Sequence, residues 1–161
     1  KANVLKSDVL FRDICLAEAK VAGVSCNDKF IDALALDILQ HPASYDVVVT
    51  TNIFGDILSD TTSYLVGGLG LIPSANIGDR YALFEPVHGS APDIAGRNIA
   101  NPIATLRSAA MLLAYCGDSP GSDRIESAIQ DVLATGIKTR DLGGSTGTQE
   151  FGEAVLHMLE R

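Results

Sequence analysis

The sequence predicts an α/β fold in which strands and helices alternate in layers. An apolar, β-branched run at 47–51 is typical of a buried strand, and a helical pattern follows it at once. Two amphipathic helical patterns, 103–115 and 122–134, come after a segment that contains short strand candidates. Strands separated by helices in this way indicate a layered α/β arrangement.

Composition narrows the class of protein. With 47% apolar and 20% charged residues among 161, the chain is expected to be globular. A net charge of −8 and a pI near 4.7 argue against a nucleic-acid partner, and no apolar run is long enough to span a membrane.

The cysteines indicate a cellular compartment, and the first residues indicate whether a segment precedes the chain. Cys15, Cys26 and Cys116 lack metal-ligand spacing, so we expect reduced thiols in an intracellular protein, either cytoplasmic or in the mitochondrial matrix. The chain opens with KANVL, without an initiator methionine or a signal peptide, and we therefore expect a missing upstream segment.

Two helices are expected before the buried strand. Residues 1–5 are predicted to end a strand, and a helix from Ser7, its plausible N-cap, to Lys20 follows. The second helix, 29–40, is apolar around most of its circumference, so it is expected to be buried in a core or a subunit interface. Asp32 is its polar exception, and a buried carboxylate needs a cation, a metal ion or hydrogen bonds.

That second helix is expected to be capped by Asn27 or Asp28.

After the buried strand, Asn52 breaks the strand pattern. The helix that follows carries Asp56 and Asp60 four residues apart, on one side. Such carboxylates repel each other unless a cation lies between them, and a hard divalent cation is a natural occupant. The alternative is a pair of solvated carboxylates near the helix N-terminus, stabilised by the helix dipole.

Residues 67–102 are rich in Gly and Pro and long for a loop in a compact domain, so a function is expected there. Leu69–Ile72 and Tyr81–Phe84 are the strand candidates within this segment. The remaining predicted elements are, in order, helix 103–115 ended by Gly117, helix 122–134 ended by Gly136, a polar turn region at 139–148 and a helix at 151–159.

The glycines between 67 and 70 lack the Rossmann spacing, and no P-loop occurs, so a dinucleotide would need another loop. The stretch 88–93 provides one. Gly89 and Ser90 allow backbone amides to approach a phosphate, and Asp93 is an acidic group suited to a ribose. An acid at this point favours NAD over NADP. The alternative is a turn in which Asp93 caps a helix.

Several motifs in order carry a family resemblance. The chain contains KANVL, GDILSD, EPVHGSAPDIAG, IANP and DLGG. Together they resemble the β-decarboxylating dehydrogenases, the family of isocitrate, isopropylmalate and homoisocitrate dehydrogenases. The resemblance covers essentially all 161 residues. Because family members are typically more than twice as long, it implies the C-terminal portion of the isocitrate/isopropylmalate dehydrogenase-like layered α/β fold, without a Rossmann domain.

The resemblance implies a metal site shared between two subunits. Asp56 and Asp60 of GDILSD are the implied ligands of Mg²⁺ or Mn²⁺ in one subunit, and Asp32 reaches the same metal from the partner. Lys1, which opens KANVL, is the implied catalytic lysine and also acts across the interface. Lys1 and Asp32 are therefore the implied catalytic residues of this chain.

The resemblance also implies NAD as the cofactor. Asn101 is expected near the adenine, with Asp141 at its far side. NADP-using relatives carry a basic residue and a tyrosine where this chain has Asp93 and Ile94, which supports NAD. The implied cofactor-binding residues are Asn3, near the nicotinamide, and Glu85, His88, Gly89, Ser90, Ala91, Pro92, Asp93, Ile94, Asn101 and Asp141.

The implied reaction is the oxidative decarboxylation of a 2-hydroxy acid that bears a 3-carboxylate. A metal would chelate the hydroxyl and the adjacent carboxylate, and Lys1 would accept the hydroxyl proton as hydride leaves for NAD. The metal would also stabilise the enolate that forms on loss of carbon dioxide. The family's reprotonating tyrosine and substrate-binding arginines lie upstream, so the chain alone is expected to be inactive.

The resemblance divides the chain into two domains. Residues 1–66 are expected in the smaller, dimer-forming domain and 67–161 in the larger, cofactor-binding one. Helices 29–40 and 56–66 are then the expected interface of a homodimer or higher oligomer.

The segments LFRDIC, TTNIFGDILSD, VGGLGL and PSANIGD resemble the homoisocitrate branch most, and isocitrate enzymes next. Both assignments place the parent protein in small-molecule metabolism, the former in amino-acid biosynthesis. A 3-isopropylmalate dehydrogenase is the alternative, although those enzymes more often carry an acid where Thr51 stands. The motifs are also compatible with a simple interaction module and with a non-catalytic regulatory subunit of an NAD-isocitrate dehydrogenase. The retained lysine and aspartates argue against the regulatory subunit.

Overall fold

The computed structural model describes residues 1–161, which form two compact units, Lys1–Thr62 and Ser63–Arg161. The helices and strands are α1 (Lys6–Ala22), α2 (Ile31–Gln40), α3 (Asn52–Thr62), β1 (Pro73–Ile77), β2 (Ala82–Pro86), α4 (Ile103–Tyr115), α5 (Ser119–Ala134) and α6 (Thr148–Leu159). No helix combines the length and apolar character needed to cross a membrane.

The first unit contains helices and turns only. α1 ends at Gly23, whose left-handed backbone (φ 68°) lets its N–H bond the carbonyls of the last turn. α2 packs against α3. Each of these two helices buries one leucine, Leu34 on α2 and Leu58 on α3. Leu36 on α2 is 62% exposed in the single chain, so the helix is not buried in a core, and its burial in a subunit interface stays a prediction.

Both strands predicted for the first unit are wrong for the chain by itself. Residues 1–5 form a turn, in which the N–H groups of Val4 and Leu5 donate to the carbonyl of Lys1. Residues 47–51 have no regular secondary structure. A strand must pair its backbone groups with a neighbour, and the chain's single sheet consists of β1 and β2 paired with each other.

The predicted N-caps of the first unit are also wrong. α1 begins at Lys6 after Leu5, so Ser7 lies inside the helix, and α2 begins at Ile31 after Phe30. Neither helix start has a side-chain cap. The turn at residues 1–5 already leads the backbone into α1, so this helix begins without a polar side chain as its N-cap.

The core of the second unit lies among α4, α5 and α6. Its fully buried side chains are Ile103 from α4, Ile129 and Val132 from α5, and Phe151 and Val155 from α6. Burial of each such side chain stabilises the fold by roughly 1.5–3 kcal/mol. This core fixes α4 and α6, the helices that follow the segments predicted to bind the cofactor.

β1 and β2 form an antiparallel hairpin with Pro73 opposite Pro86 and Ile77 opposite Ala82. Both strands pack against α4. The strand predicted at Leu69–Ile72 is wrong, because Leu69–Leu71 is a 3₁₀ turn. That segment is apolar because its Leu71 packs in the core of the second unit.

The helices of the second unit follow the sequence pattern more closely. α4 has the predicted bounds, and Gly117 follows it with φ 92°. α5 begins three residues early, at Ser119, because the carboxylate of Asp118 accepts a 3.0 Å hydrogen bond from the N–H of Gly121. α6 likewise begins at Thr148 rather than at 151.

Candidate active site

Lys1 and Asp32 meet in the first unit. Nζ of Lys1 lies 2.8 Å from Oδ2 of Asp32, which stands in the first turn of α2. The Asp32 side chain is 61% exposed in the single chain, and it has one of the expected partners, the ammonium group of Lys1. The hydrogen bond from Lys1 holds the pKa of Asp32 below its ordinary value, with help from backbone N–H groups at the helix start.

Asp56 and Asp60 lie on α3 and are both exposed. Because α3 begins at Asn52, neither carboxylate is in its first turn, and Asp60 lies close to its C-terminal end. The helix dipole disfavours negative charge at that end. The alternative of two carboxylates held by the N-terminal dipole is therefore wrong.

The aspartates of α3 are suited to a hard cation, because exposed carboxylates one helical turn apart offer the oxygen ligands that Mg²⁺ and Mn²⁺ take. The chain by itself gathers no three His, Cys, Asp or Glu side chains around a common point. Asp32 faces Lys1 instead. A complete metal site would thus need ligands from elsewhere, and the three-aspartate site stays a prediction. Asn3, the other site residue expected in this unit, lies in the N-terminal turn and is exposed.

In the second unit, Glu85 lies on β2 opposite Ser74 and is exposed. The segment 88–98, here called the cofactor loop, follows β2. His88 donates a 3.0 Å hydrogen bond from Nδ1 to the carbonyl of Gly89, which requires the proton to be on Nδ1. Gly89 and Ser90 are exposed, as the expected role in phosphate binding requires.

Backbone strain is concentrated in the cofactor loop. Ala91 (φ 42°) and Asn98 (φ 53°) are the chain's two non-glycine residues with positive φ, and both belong to this loop. Ala91 also precedes Pro92, a position at which helical backbone is disfavoured. Strain of this kind is typical of ligand-binding segments.

The suggestion that Asp93 caps a helix is wrong. Residues 92–96 form turns, and the next helix begins only at Ile103. The Asp93 side chain is exposed, while its backbone carbonyl lies 3.5 Å from Nη1 of Arg97. Ile94 is half-buried within the same turn. The carboxylate of Asp93 is therefore displayed on the surface of the loop.

Asn101 and Asp141 are brought together in the second unit. Asn101 is 8% exposed, and its Nδ2 donates a 2.8 Å hydrogen bond to Oδ2 of Asp141. Its Oδ1 accepts a 2.9 Å bond from the N–H of Ile103, at the start of α4. The two bonds fix the amide orientation, because the backbone N–H must face an acceptor and the carboxylate must face a donor.

Two residues that the sequence reasoning missed support this pair. Thr139 is fully buried, and its hydroxyl donates a 2.6 Å hydrogen bond to Oδ1 of Asp141. Gly70 packs so closely that a Cβ would lie 3.0 Å from Cβ of Asn101 and 3.1 Å from Oδ2 of Asp141. A threonine two residues before an aspartate in a polar turn was the available signal for Thr139.

Comparison with known proteins shows what the chain resembles. A sequence model described as isocitrate/isopropylmalate dehydrogenase matches residues 1–155. The chain is 54% identical over 157 residues to the 3-isopropylmalate/3-methylmalate dehydrogenase of Methanocaldococcus jannaschii, with 96% of this chain and 47% of that protein covered. It is 49% identical over 162 residues to the homoisocitrate dehydrogenase of the same organism, with 100% and 47% covered.

A solved structure of the same family shows a similar fold. The crystal structure of isocitrate dehydrogenase from Methylococcus capsulatus superposes with a TM-score of 0.93 at 43% identity, and the match covers 100% of this chain and 49% of that one. The predicted α/β fold is thereby confirmed. The chain spans about half the length of the curated relatives it matches.

Proposed function

Since the chain belongs to the isocitrate/isopropylmalate dehydrogenase family, we propose that it works within a longer NAD- and metal-dependent dehydrogenase. The proposed reaction is oxidative decarboxylation of a 2-hydroxy acid that bears a 3-carboxylate. The observation that carries the proposal is the 2.8 Å contact between Nζ of Lys1 and Oδ2 of Asp32, because it joins a candidate base to a candidate metal ligand in one chain.

The chain's own residues have distinct proposed roles. When bound, NAD supplies a hydride acceptor, and a divalent cation supplies a Lewis acid that polarises the hydroxyl and carboxylate of the substrate. Asp56 and Asp60 would hold the cation, together with Asp32 of a second copy. Lys1 would accept the hydroxyl proton at Nζ. The cofactor loop and the Asn101–Asp141 pair would hold NAD, with the exposed Asp93 repelling the additional phosphate of NADP.

A second copy is proposed to cover the apolar faces of α2 and α3. Leu36 on α2 is 62% exposed, and Ile53 and Ile57 on α3 are 63% and 53% exposed. Large apolar side chains grouped on neighbouring helices are typical of a protein interface. Sedimentation of the full-length protein is expected to give a dimer or a higher oligomer. A well-behaved monomer would contradict this assignment.

The proposed substrate is homoisocitrate or isocitrate. Identities of 54% and 49% to relatives named for different substrates do not choose between them, so the choice depends on the segments LFRDIC, VGGLGL and PSANIGD. Assays of the full-length protein with Mn²⁺, NAD or NADP and each of the three acids test it. We expect NAD-linked turnover of homoisocitrate or isocitrate. A preference for 3-isopropylmalate by orders of magnitude would overturn the substrate assignment but not the reaction.

Metal binding separates an enzyme from a regulatory subunit. Calorimetric titration of the full-length protein with Mn²⁺ is expected to show binding that Asp56→Asn abolishes. Glu18→Gln, which removes an exposed carboxylate from α1, is the matched control and is expected to bind like the wild type. If the wild type binds no Mn²⁺, or if Asp56→Asn makes no difference, a non-catalytic regulatory role is favoured.

A further inference from the structure

Asn98 joins the end of the cofactor loop to the N-terminus of α6. Its backbone carbonyl accepts a 3.1 Å hydrogen bond from the N–H of Thr148, and its Oδ1 accepts a 2.9 Å bond from the N–H of Gln149. Its Nδ2 donates a 3.0 Å bond to Oε2 of Glu150. One residue thus satisfies two of the N–H groups that a helix start leaves unpaired, and it also engages a side chain of the first turn.

The interior of the cofactor loop has only local hydrogen bonds. The N–H of Ile94 donates to the carbonyl of Ala91, the N–H of Arg97 donates to Ile94, and the Arg97 guanidinium faces the carbonyl of Asp93. All of these bonds begin and end within the loop. Asn98 is therefore the point at which this part of the chain becomes attached to the helical core.

The attachment depends on the backbone of Asn98 as well as its side chain. Its φ of 53° lies in the left-handed region, which asparagine tolerates better than most residues. The contact is close: a Cβ on Gly147 would lie 2.5 Å from Nδ2 of Asn98 and 2.9 Å from its carbonyl oxygen. A residue at 98 must therefore supply the unusual backbone and the polar side chain together.

We propose that Asn98 is a positioning residue for the cofactor, and that its attachment to α6 sets the affinity for NAD by ordering the cofactor loop in advance. This inference depends on the proposed NAD-binding function. A loop that is already held loses little conformational freedom when a ligand binds, whereas a released loop must be ordered at that moment and binds more weakly. The Asn98 side chain need not touch NAD for this effect.

The test uses the full-length protein and three substitutions. Asn98→Gly keeps access to positive φ but removes the side chain, so it isolates the two side-chain hydrogen bonds. Glu150→Gln keeps an acceptor for Nδ2 and serves as the conservative variant. Asn27→Gly, in an exposed loop of the first unit, is the matched control for replacing asparagine by glycine.

We expect Asn98→Gly to raise the calorimetric Kd and the KM for NAD about tenfold, with kcat at saturating NAD unchanged. Amide hydrogen exchange at 88–97 should be faster than in the wild type without NAD and similar to it with NAD bound. Glu150→Gln and Asn27→Gly should stay near the wild type in each measurement.

Two results would overturn the inference in distinguishable ways. If the wild type binds NAD and Asn98→Gly binds it equally well, even with a lower melting temperature, Asn98 is only structural and the proposed function stands. If the wild type binds no NAD, the proposed function and the inference both fail.

Discussion

The side-chain amide of Asn101 and the carboxylate of Asp141, 40 residues apart in the chain, are joined by a 2.8 Å hydrogen bond. The other oxygen of Asp141 accepts a 2.6 Å bond from Thr139, so both carboxylate oxygens are engaged. The two residues expected to flank the adenine therefore form one unit whose geometry is already fixed. An arrangement of this kind limits the ordering that a ligand must impose when it binds.

Thr139→Val tests the support of this unit. Valine keeps the shape of threonine but leaves Oδ1 of Asp141 without its donor, while Asn101 still bonds Oδ2, so we expect the free energy of unfolding to fall by about 1.5–3 kcal/mol. Urea denaturation of the full-length protein measures the change. Thr139→Ser keeps the hydroxyl and is the control, with a smaller loss of about 0.8 kcal/mol for the missing methyl group. Equal stability of Thr139→Val and the wild type would contradict the prediction.

Gly70→Ala tests the close approach behind Asn101 and Asp141. The added methyl group would press on both side chains, so we expect a destabilisation of about 1–3 kcal/mol. Gly152→Ala is the matched control, because Gly152 lies within α6 and a Cβ there would meet nothing within 4 Å. That control is expected to stabilise the protein by about 0.5–1 kcal/mol through helix propensity. If both substitutions shift the melting temperature upwards, the packing argument at Gly70 fails.

Lys29→Met tests a cluster at the end of α2. Lys29 and Tyr45 both donate to Oδ2 of Asp37, and Nδ1 of His41 lies 3.1 Å from its Oδ1. The Lys29 ammonium first, and then the other two groups, hold the pKa of Asp37 far below its ordinary value. Because this pKa is lower in the folded chain than in the unfolded one, the cluster stabilises the fold fully above the unfolded pKa. The stabilisation is lost as the pH falls through the folded pKa.

We therefore expect Lys29→Met to be less stable than the wild type at pH 7, and the difference to shrink as the pH falls below about 4, near the ordinary pKa of aspartate. Denaturant unfolding of the full-length protein at a series of pH values measures this. Lys20→Met, at an exposed position on α1, controls for the loss of one positive charge. A difference independent of pH would show that Lys29 acts by packing over the Tyr45 ring, 5.3 Å away, rather than through Asp37.

Lys1→Met tests the candidate catalytic pair. The hydrogen bond from Lys1 is the main cause of the lowered pKa of Asp32, so its removal should raise that pKa towards the ordinary value of an aspartate. Titration of the aspartate carboxyl ¹³C signals in the full-length protein measures the shift. Lys6→Met, at an exposed position on α1, should leave the titration of Asp32 unchanged. An unchanged pKa in Lys1→Met would mean that the two side chains do not pair in solution.

The sequence predicted best the parts of the fold whose cause is local. α4 has the predicted bounds because its apolar spacing and its flanking residues agree. The run 47–51 has the composition of a strand, but a strand also needs a partner, and composition carries no information about pairing. The start of α5 was missed by three residues because the Asp118 cap was not recognised.

The residues of the candidate site also divide into those that the sequence predicted and those that it did not. Lys1, Asn101 and Asp141 were found through motifs and Asp32 through the family resemblance, and the structure brings the four together as two pairs. Thr139 was missed although it lies two residues from Asp141, whereas Gly70 and Asn98 were not found because each supports residues from a distant part of the chain. Such support depends on tertiary contacts, which neither periodicity nor motif spacing reports.

The exposed run 47–51 has a consequence for the aggregation of the chain. Val47 and Val49 are 81% and 67% exposed, in a stretch of high β-propensity that has no ladder partner. A stretch of that kind is a template for cross-β association between molecules. A strand partner elsewhere in the proposed longer protein would pair this run and remove the template.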